Sequence, residues 1–138
     1  IKKQELYQVV VTVGGNQALL SAFYDSGNRL KDPFSGNSII VCEFQAIKNL
    51  LPEAACPFFI GDIQLDIKAL PEGWKKKVRI VPFQVVKHSG TMKCFLPDCC
   101  LVINGTQQIK KQVLIGVSDT ALSDGEYNAL LPADIFNS

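Results

Sequence analysis

An acid followed by a hydroxyl residue and a glycine is the pattern in this chain that could do chemistry. Asp25-Ser26-Gly27 comes directly after the mostly apolar residues 19–24. A carboxylate at the end of a buried strand costs desolvation energy unless it is hydrogen-bonded or paired. Gly27 permits a tight turn that brings its own N–H toward the carboxylate, and the Ser26 hydroxyl can tie the loop. Asp25 is therefore our candidate catalytic residue, with an ordinary Asp-Ser-Gly turn as the alternative.

Two further candidates are weaker. Asp119-Thr120-Ala121 resembles a second half-site but lacks the glycine that the turn needs, so we expect Asp119 to cap a helix or turn. His88 is the only histidine and stands in a polar segment. Nothing in the sequence orients it toward a Ser or Cys nucleophile, and we expect an exposed turn residue.

The cysteine pattern predicts neither a metal site nor a cofactor. The chain has five cysteines, an odd number, and no two of them have the Cys-x-x-Cys spacing of zinc or redox sites. We expect reduced, partly buried thiols in a reducing compartment.

The composition indicates one globular domain over residues 1–138. Of these 138 residues, 47% are hydrophobic and 20% charged, and the net charge is +1. The absence of a basic stripe argues against nucleic acid as the main partner. The apolar runs are of strand length, well short of the ~18 residues that a membrane span needs. The chain begins at Ile1 and its one methionine is Met92, so we expect a fragment or processed product whose upstream anchor would be absent.

The elements that must position Asp25 are read as β-strands. Residues 5–13 and 17–24 predict a hairpin that leads directly into Asp25, and residues 38–42 predict a third strand. Residues 43–51 have helical spacing, ended by Pro52. Residues 53–77 read as an irregular excursion.

Strands resume in the second half. We predict strands at residues 78–86 and 91–96, a turn at residues 88–90, and Pro82 at an edge or bulge. Asn104-Gly105 predicts a hairpin, and Ser123 opens a predicted helix that Pro132 ends. Many short strands with two short helices predict a mostly β fold, a small barrel or sandwich.

This order of motifs resembles the retroviral-type aspartic proteases. A hairpin feeds an aliphatic strand into Asp25-Ser26-Gly27, and a later aliphatic pair precedes Gly116. The resemblance implies a retropepsin-like acid protease half-barrel with one or two short helices. It also implies that each chain supplies one Asp and that a symmetric homodimer closes the site.

A closer resemblance is to the C-terminal protease domain of the sporulation sigma-E factor processing peptidases, the stage II sporulation protein GA family. It is carried by residues 25–33, 79–83 and 95–98 and by Ile115-Gly116. Asn28 follows the glycine here, where retroviral-type enzymes usually have Ala or Ser, and Asn is expected in the sporulation family. The resemblance implies that Asp25 is catalytic and that Ser26, Gly27 and Asn28 support its loop.

The same resemblance implies an aspartic endopeptidase that removes the N-terminal extension from the precursor of sigma-E. A separate activating protein is implied, as are a septal membrane anchor upstream and a protease domain that faces the cytoplasm. Two adjacent Asp25 carboxylates would share one proton. One would act as general base on a water molecule while the other polarises the scissile carbonyl, with no metal or covalent intermediate. The alternative is a catalytically silent domain used for dimerisation or partner binding.

The segment that covers the substrate is predicted to be the hairpin of residues 78–96, with its tip near residues 87–90. It lies between the Asp25 loop and the Asn104-Gly105 hairpin, where retroviral-type chains place their flap. The rival is the excursion around Gly61.

Overall fold

The chain folds around a single mixed β-sheet. The structure, a computed structural model, describes residues 5–60, 67–85 and 87–137, except for the side chains of residues 85 and 88. Within these residues the strands are β1 Leu6–Val13, β2 Asn16–Tyr24, β3 Ile39–Glu43, β4 Val78–Val85, β5 His88–Phe95, β6 Cys99–Asn104, β7 Gln107–Lys110, β8 Leu114–Ser118 and β9 Ala129–Leu131. They lie side by side in the order β4-β5-β8-β3-β9-β2-β1-β6-β7. The predicted mostly β class is confirmed.

The helical segments are all short. The α-helices are α1 Phe44–Ile47, α2 Cys56–Phe59 and α3 Glu72–Lys75, and 3-10 turns cover Lys48–Leu50, Glu53–Ala55 and Ile67–Ala69. The helix predicted at residues 43–51 is therefore present as α1 and the 3-10 turn that follows it.

The N-terminal hairpin forms as predicted. β1 and β2 pair antiparallel from Leu6 opposite Phe23 to Val13 opposite Asn16. Gly14 at the turn has φ +60°, a left-handed conformation that glycine adopts without steric cost. Alternate residues of both strands, such as Val11 and Leu20, are buried. β2 thus runs directly into Asp25, as the sequence pattern required.

The helix predicted after Ser123 is wrong, because residues 129–131 form strand β9. Ser123 does accept the N–H groups of Glu126 and Tyr127, as a cap would. Gly125 then takes φ +87°, which ends helical geometry. β9 lies between β2 and β3, parallel to β2 and antiparallel to β3, so its backbone is paired on both sides.

The β4–β5 hairpin also forms, with one correction. β4 is the edge strand of the sheet, in agreement with the prediction for Pro82. The turn predicted at residues 88–90 is wrong: His88, Ser89 and Gly90 pair with β4 and begin strand β5. The ladder runs to Val85 opposite His88. The rival flap segment around Gly61 lies outside the described residues.

The irregular excursion contributes an aromatic part of the core. Phe59, Trp74 and Phe95 pack with ring centroids 5.4 to 6.3 Å apart, and Phe58 adds an edge contact to Phe59. Trp74 is 7% exposed and belongs to the core.

All five cysteines are free thiols, as expected. Burial raises the pKa of Cys94 and Cys100 to about 12 and that of Cys42 well above its usual value. Within the described residues, no three His, Cys, Asp or Glu side chains are grouped to hold a metal ion. The described part of the chain also contains no helix long and apolar enough to cross a membrane.

Candidate active site

The Asp25 loop is fixed at its start by strand β9. β2 pairs with β9 up to Tyr24 opposite Leu131, and the Asp25 N–H donates to the Leu131 carbonyl at 3.2 Å. The Gly27 N–H then donates to Asp25 Oδ1 at 2.9 Å, as predicted, and the Asn28 N–H donates to the Asp25 carbonyl at 3.0 Å. The carboxylate is half-buried and held by its own loop, so one of its oxygens has a defined direction.

Gly27 leaves space for the Asp25 carboxylate. Its φ is not in the left-handed region, but a Cβ at this position would lie 3.3 Å from Asp25 Oδ1. Ser26 is exposed, and its hydroxyl makes no hydrogen bond within the described residues. The predicted tie from Ser26 is therefore absent from this chain alone, while the predicted contact from Gly27 is present.

Asn28 is the buried polar residue that ties the loop to the sheet. It is 6% exposed. Its Nδ2 donates to the Ile39 carbonyl at 3.1 Å, and its Oδ1 accepts the Leu30 N–H at 3.2 Å. Its backbone carbonyl accepts the Ala133 N–H at 2.8 Å. Asn28 thus connects the loop to β3 and to the segment after β9.

The segment after β9 supports the loop in a way that the sequence did not indicate. The Tyr24 hydroxyl donates to the Ala133 carbonyl at 2.6 Å. Ser38 donates to both oxygens of Asp134, at 2.8 and 2.9 Å, and Lys31 lies 3.1 Å from the same carboxylate. The hydrogen bond from Ser38 lowers the pKa of Asp134; partial burial opposes this effect and Lys31 adds to it. No local motif marks Asp134, because its partners lie about a hundred residues earlier in the chain.

Asp25 opens onto a groove of about 370 Å³. Most of the described lining side chains are apolar, and among them Arg29 is the one cation and Asp25 the one acid. The described lining residues are Asp25, Gly27, Asn28, Arg29, Leu30, Val41, Phe83, Gln84, Met92 and Leu130. A mostly apolar groove beside a fixed carboxylate can hold a peptide against that carboxylate.

The β4–β5 hairpin forms one wall of this groove. Phe83 and Gln84 of β4 and Met92 of β5 line it together with Asp25. Phe83 therefore belongs to the groove wall. The hairpin is therefore positioned beside the carboxylate, as its predicted role of flap requires.

The other candidate residues do not join Asp25. Asp119 is exposed in the bend after β8 and does not line the groove. The side chain of His88 lies outside the described residues. Asp98 accepts the Gly14 N–H at 2.6 Å, which lowers the pKa of its carboxyl. The Asp98 carboxylate thus holds the β1–β2 turn.

Comparison with known proteins assigns the chain to a class of peptidases. The chain belongs to the family of the sporulation factor SpoIIGA, whose model matches residues 1–135.

Three relatives are similar over most of the chain. A protein of Bacillus thuringiensis subsp. kurstaki, named as a sporulation sigma factor-processing peptidase, is 26% identical over 137 residues, covering 95% of this chain and 84% of its own. The sporulation sigma-E factor-processing peptidase of Priestia megaterium is 24% identical, covering 86% of this chain and 40% of its own. That of Bacillus subtilis is 25% identical, covering 95% and 44%. The chain thus spans less than half of the latter two relatives.

Proposed function

We propose that this chain is an aspartic endopeptidase whose site is completed by a second copy of itself. The observation that carries the proposal is the carboxylate of Asp25, fixed by the Gly27 N–H at the mouth of a peptide-sized groove. Asp25 is the one acid among the residues that line this groove. Carboxylate-only hydrolysis needs two such groups in contact, so the second must come from another chain.

A symmetric pair supplies the two carboxylates. The simplest closed assembly of identical chains has a two-fold axis, and on that axis each chain contributes the same residue. Ser26 and Gly27 are exposed beside Asp25, which leaves the loop accessible to the same loop of a partner. The free Ser26 hydroxyl is available for a hydrogen bond across the axis.

The chemistry follows from the shared proton. The ionised Asp25 takes a proton from a water molecule, and the resulting hydroxide attacks the scissile carbonyl carbon. The protonated Asp25 of the other chain hydrogen-bonds to the carbonyl oxygen and stabilises the negative charge that develops there. As the tetrahedral intermediate collapses, the first Asp25 passes the proton that it took from water to the nitrogen, and the C–N bond breaks. The Gly27 N–H keeps one oxygen of each carboxylate in place.

The substrate we propose is the precursor of sigma-E, from which the N-terminal extension is removed. The names of the relatives from Priestia megaterium and Bacillus subtilis support this substrate. We further propose that the whole protein is anchored in the septal membrane by an upstream segment, that this domain of residues 1–138 faces the cytoplasm, and that a separate protein activates it.

The isolated pair is expected to be weak. Retroviral-type dimers are clasped by their terminal strands, whereas Ile135 here is 2% exposed within its own chain. The ring of Phe136 also packs at 4.9 Å from Tyr7 and 5.8 Å from Tyr24 of the same chain. Because Ile135 and Phe136 pack within their own chain, little of the described C-terminal segment remains to pair with a second chain. Tethering on a membrane would compensate by raising the local concentration of chains.

Co-expression with the precursor tests the proposal. Asp25→Ala should lower precursor cleavage at least ~100-fold while leaving the folded state intact, because it removes a group that acts only in the reaction. Asp119→Ala, an exposed acid away from the groove, should cleave as well as the unaltered chain. Cleavage by Asp25→Ala at the unaltered rate would overturn the proposal and favour a silent domain used for dimerisation or partner binding.

A further inference from the structure

We propose that Met92 determines the size of the substrate side chain that fits beside Asp25, and that Gly116 provides the space in which Met92 lies. This inference rests on the proposed proteolytic function and adds a specificity-determining residue to it. It is based on the contact between Met92 of β5 and Gly116 of β8, two strands outside the Asp25 loop.

Gly116 and Met92 are in close contact. β5 and β8 pair antiparallel with Cys94 opposite Gly116, which brings Met92 across the face of the glycine. A Cβ built on Gly116 would overlap Met92 Sδ and lie 3.3 Å from Met92 Cγ, and it would approach Ile39 Cγ2 at 2.8 Å. The φ of Gly116 is not in the left-handed region, so the backbone itself does not demand glycine. The absent side chain is what leaves room for Met92.

Met92 also lines the groove. It is partly buried and shares the groove with Asp25 and with the apolar side chains Phe83, Val41 and Leu130. Its side chain therefore has Gly116 on one side and the groove on the other. Any group added at Gly116 would displace Met92 toward the groove, and any shortening of Met92 would deepen the groove.

The chemistry of this wall predicts the class of side chain that it accepts. Methionine is unbranched and polarizable, so it adapts its shape to an apolar neighbour without an unsatisfied polar group. Among the described residues that line the groove, Arg29 and Asp25 are the charged ones. We infer that a residue flanking the scissile bond is apolar and that its upper size limit is set by the thioether of Met92.

The decisive experiment measures a preference ratio. The protein is co-expressed with precursor variants in which each of the two residues flanking the cleaved bond is replaced in turn by Ala, Leu or Phe. Met92→Ala should raise the ratio of Phe to Ala cleavage about tenfold at one of the two positions, as expected when a pocket gains several methylenes of space. Gly116→Ala should change the ratio in the opposite direction. The double variant Met92→Ala/Gly116→Ala should return toward the unaltered ratio.

The controls separate specificity from stability. Ile80→Ala shortens an exposed side chain of β4 that does not line the groove, and it should leave the ratio unchanged. Gly116→Ala also meets Ile39, so if it fails to fold, the comparison of Met92→Ala with Met92→Leu decides, because Leu nearly conserves the volume. The inference is overturned if Met92→Ala and Ile80→Ala give the same ratio at both positions.

The two proposals fail in distinguishable ways. Cleavage that persists in Asp25→Ala overturns the proteolytic function whatever Met92 does. Cleavage that requires Asp25 but has an unchanged ratio in Met92→Ala overturns only the role of Met92.

Discussion

The shape of the Asp25 loop depends on the side chain of Asn28. Its amide donates to one strand and accepts from the loop, and both contacts lie where water has little access. The sequence singled out Asn28 only through its place after Gly27. Its burial and its partner Ile39, eleven residues away, could not be read from a local pattern.

Asn28→Ala is expected to destabilise the protein and to lower cleavage. The substitution leaves the Ile39 carbonyl and the Leu30 N–H without their partner, at a cost of about 1–3 kcal/mol. Asn137→Ala is the matched control, because Asn137 is exposed and only its backbone forms hydrogen bonds. It should change the free energy of unfolding by no more than about 0.5 kcal/mol. Equal urea midpoints for the two variants would contradict the role given to Asn28.

Asp32 makes the stability dependent on acid. Burial by itself would raise its pKa, but hydrogen bonds from Ser35 and from the backbone N–H groups of Phe34 and Ser35, with the charge of Arg79, bring the pKa below its usual 3.8. The interaction between Asp32 and Arg79 is thus electrostatic, and no ion pair between them is present in the described residues. Because the folded pKa is lowered, the stabilisation is complete above pH ~4 and is lost as pH falls through the folded pKa.

Asp32→Asn should therefore reduce the dependence of the free energy of unfolding on pH in acid. We expect a lower free energy of unfolding than the unaltered chain at pH 7 and a smaller loss between about pH 4 and pH 2. Urea unfolding at several pH values measures both. Asp119 is an exposed acid whose side chain has no hydrogen bond in the described structure. The free energy of unfolding of Asp119→Asn should therefore change with pH as it does in the unaltered chain. If the free energy of unfolding of Asp32→Asn changed with pH as it does in the unaltered chain, the role given to Asp32 would be contradicted.

Among the secondary-structure elements, strand β9 holds the start of the Asp25 loop. Its Leu131 carbonyl accepts the Asp25 N–H, and its Leu131 side chain is fully buried. Leu131→Ala should cost about 2–5 kcal/mol, because it removes buried methyl groups and leaves a cavity.

Leu19 of the adjacent strand β2 offers a matched control for Leu131. It is 66% exposed, and Leu19→Ala should change the free energy of unfolding by less than about 0.5 kcal/mol. Calorimetry or urea unfolding gives both values. Similar losses for the two variants would show that β9 does not pack as described.

The strands that could be predicted from the sequence are those with a clear alternation and a turn. β1, β2 and β4 were found within one residue of their predicted bounds, and the hairpin predicted at Asn104-Gly105 is present as β6 and β7. The position of Asp25 directly after β2 could be predicted from the same signals.

β9 could not be predicted because it is three residues long and its partners are distant in sequence. Its pairing with β2 joins residues more than a hundred positions apart, while the local spacing of Ser123 and Glu126 favours a helix cap. Tertiary pairing on both sides overrides that local preference. The groove, the Asp134 contacts and the packing of Met92 on Gly116 are likewise products of long-range pairing.

In the function proposed above, the whole molecule is a symmetric pair of which one chain provides half of the site. The described residues of the groove include one acid, and the loop that carries it is exposed. The contacts of Ile135 and Phe136 within their own chain predict an isolated pair that dissociates on dilution. Cleavage per chain should therefore rise with chain concentration.

Subunit mixing tests the shared site most directly. At chain concentrations at which the pair is fully formed, a fixed amount of unaltered chain is mixed with increasing Asp25→Ala chain under conditions of exchange, and precursor cleavage is measured. If each site needs an Asp25 from both chains, a ninefold excess of Asp25→Ala should lower cleavage about tenfold, because nearly every active chain is then paired with an inactive one. Asp119→Ala added in the same excess should not lower cleavage. Cleavage that stays proportional to the unaltered chain alone would contradict a site built from two Asp25 carboxylates.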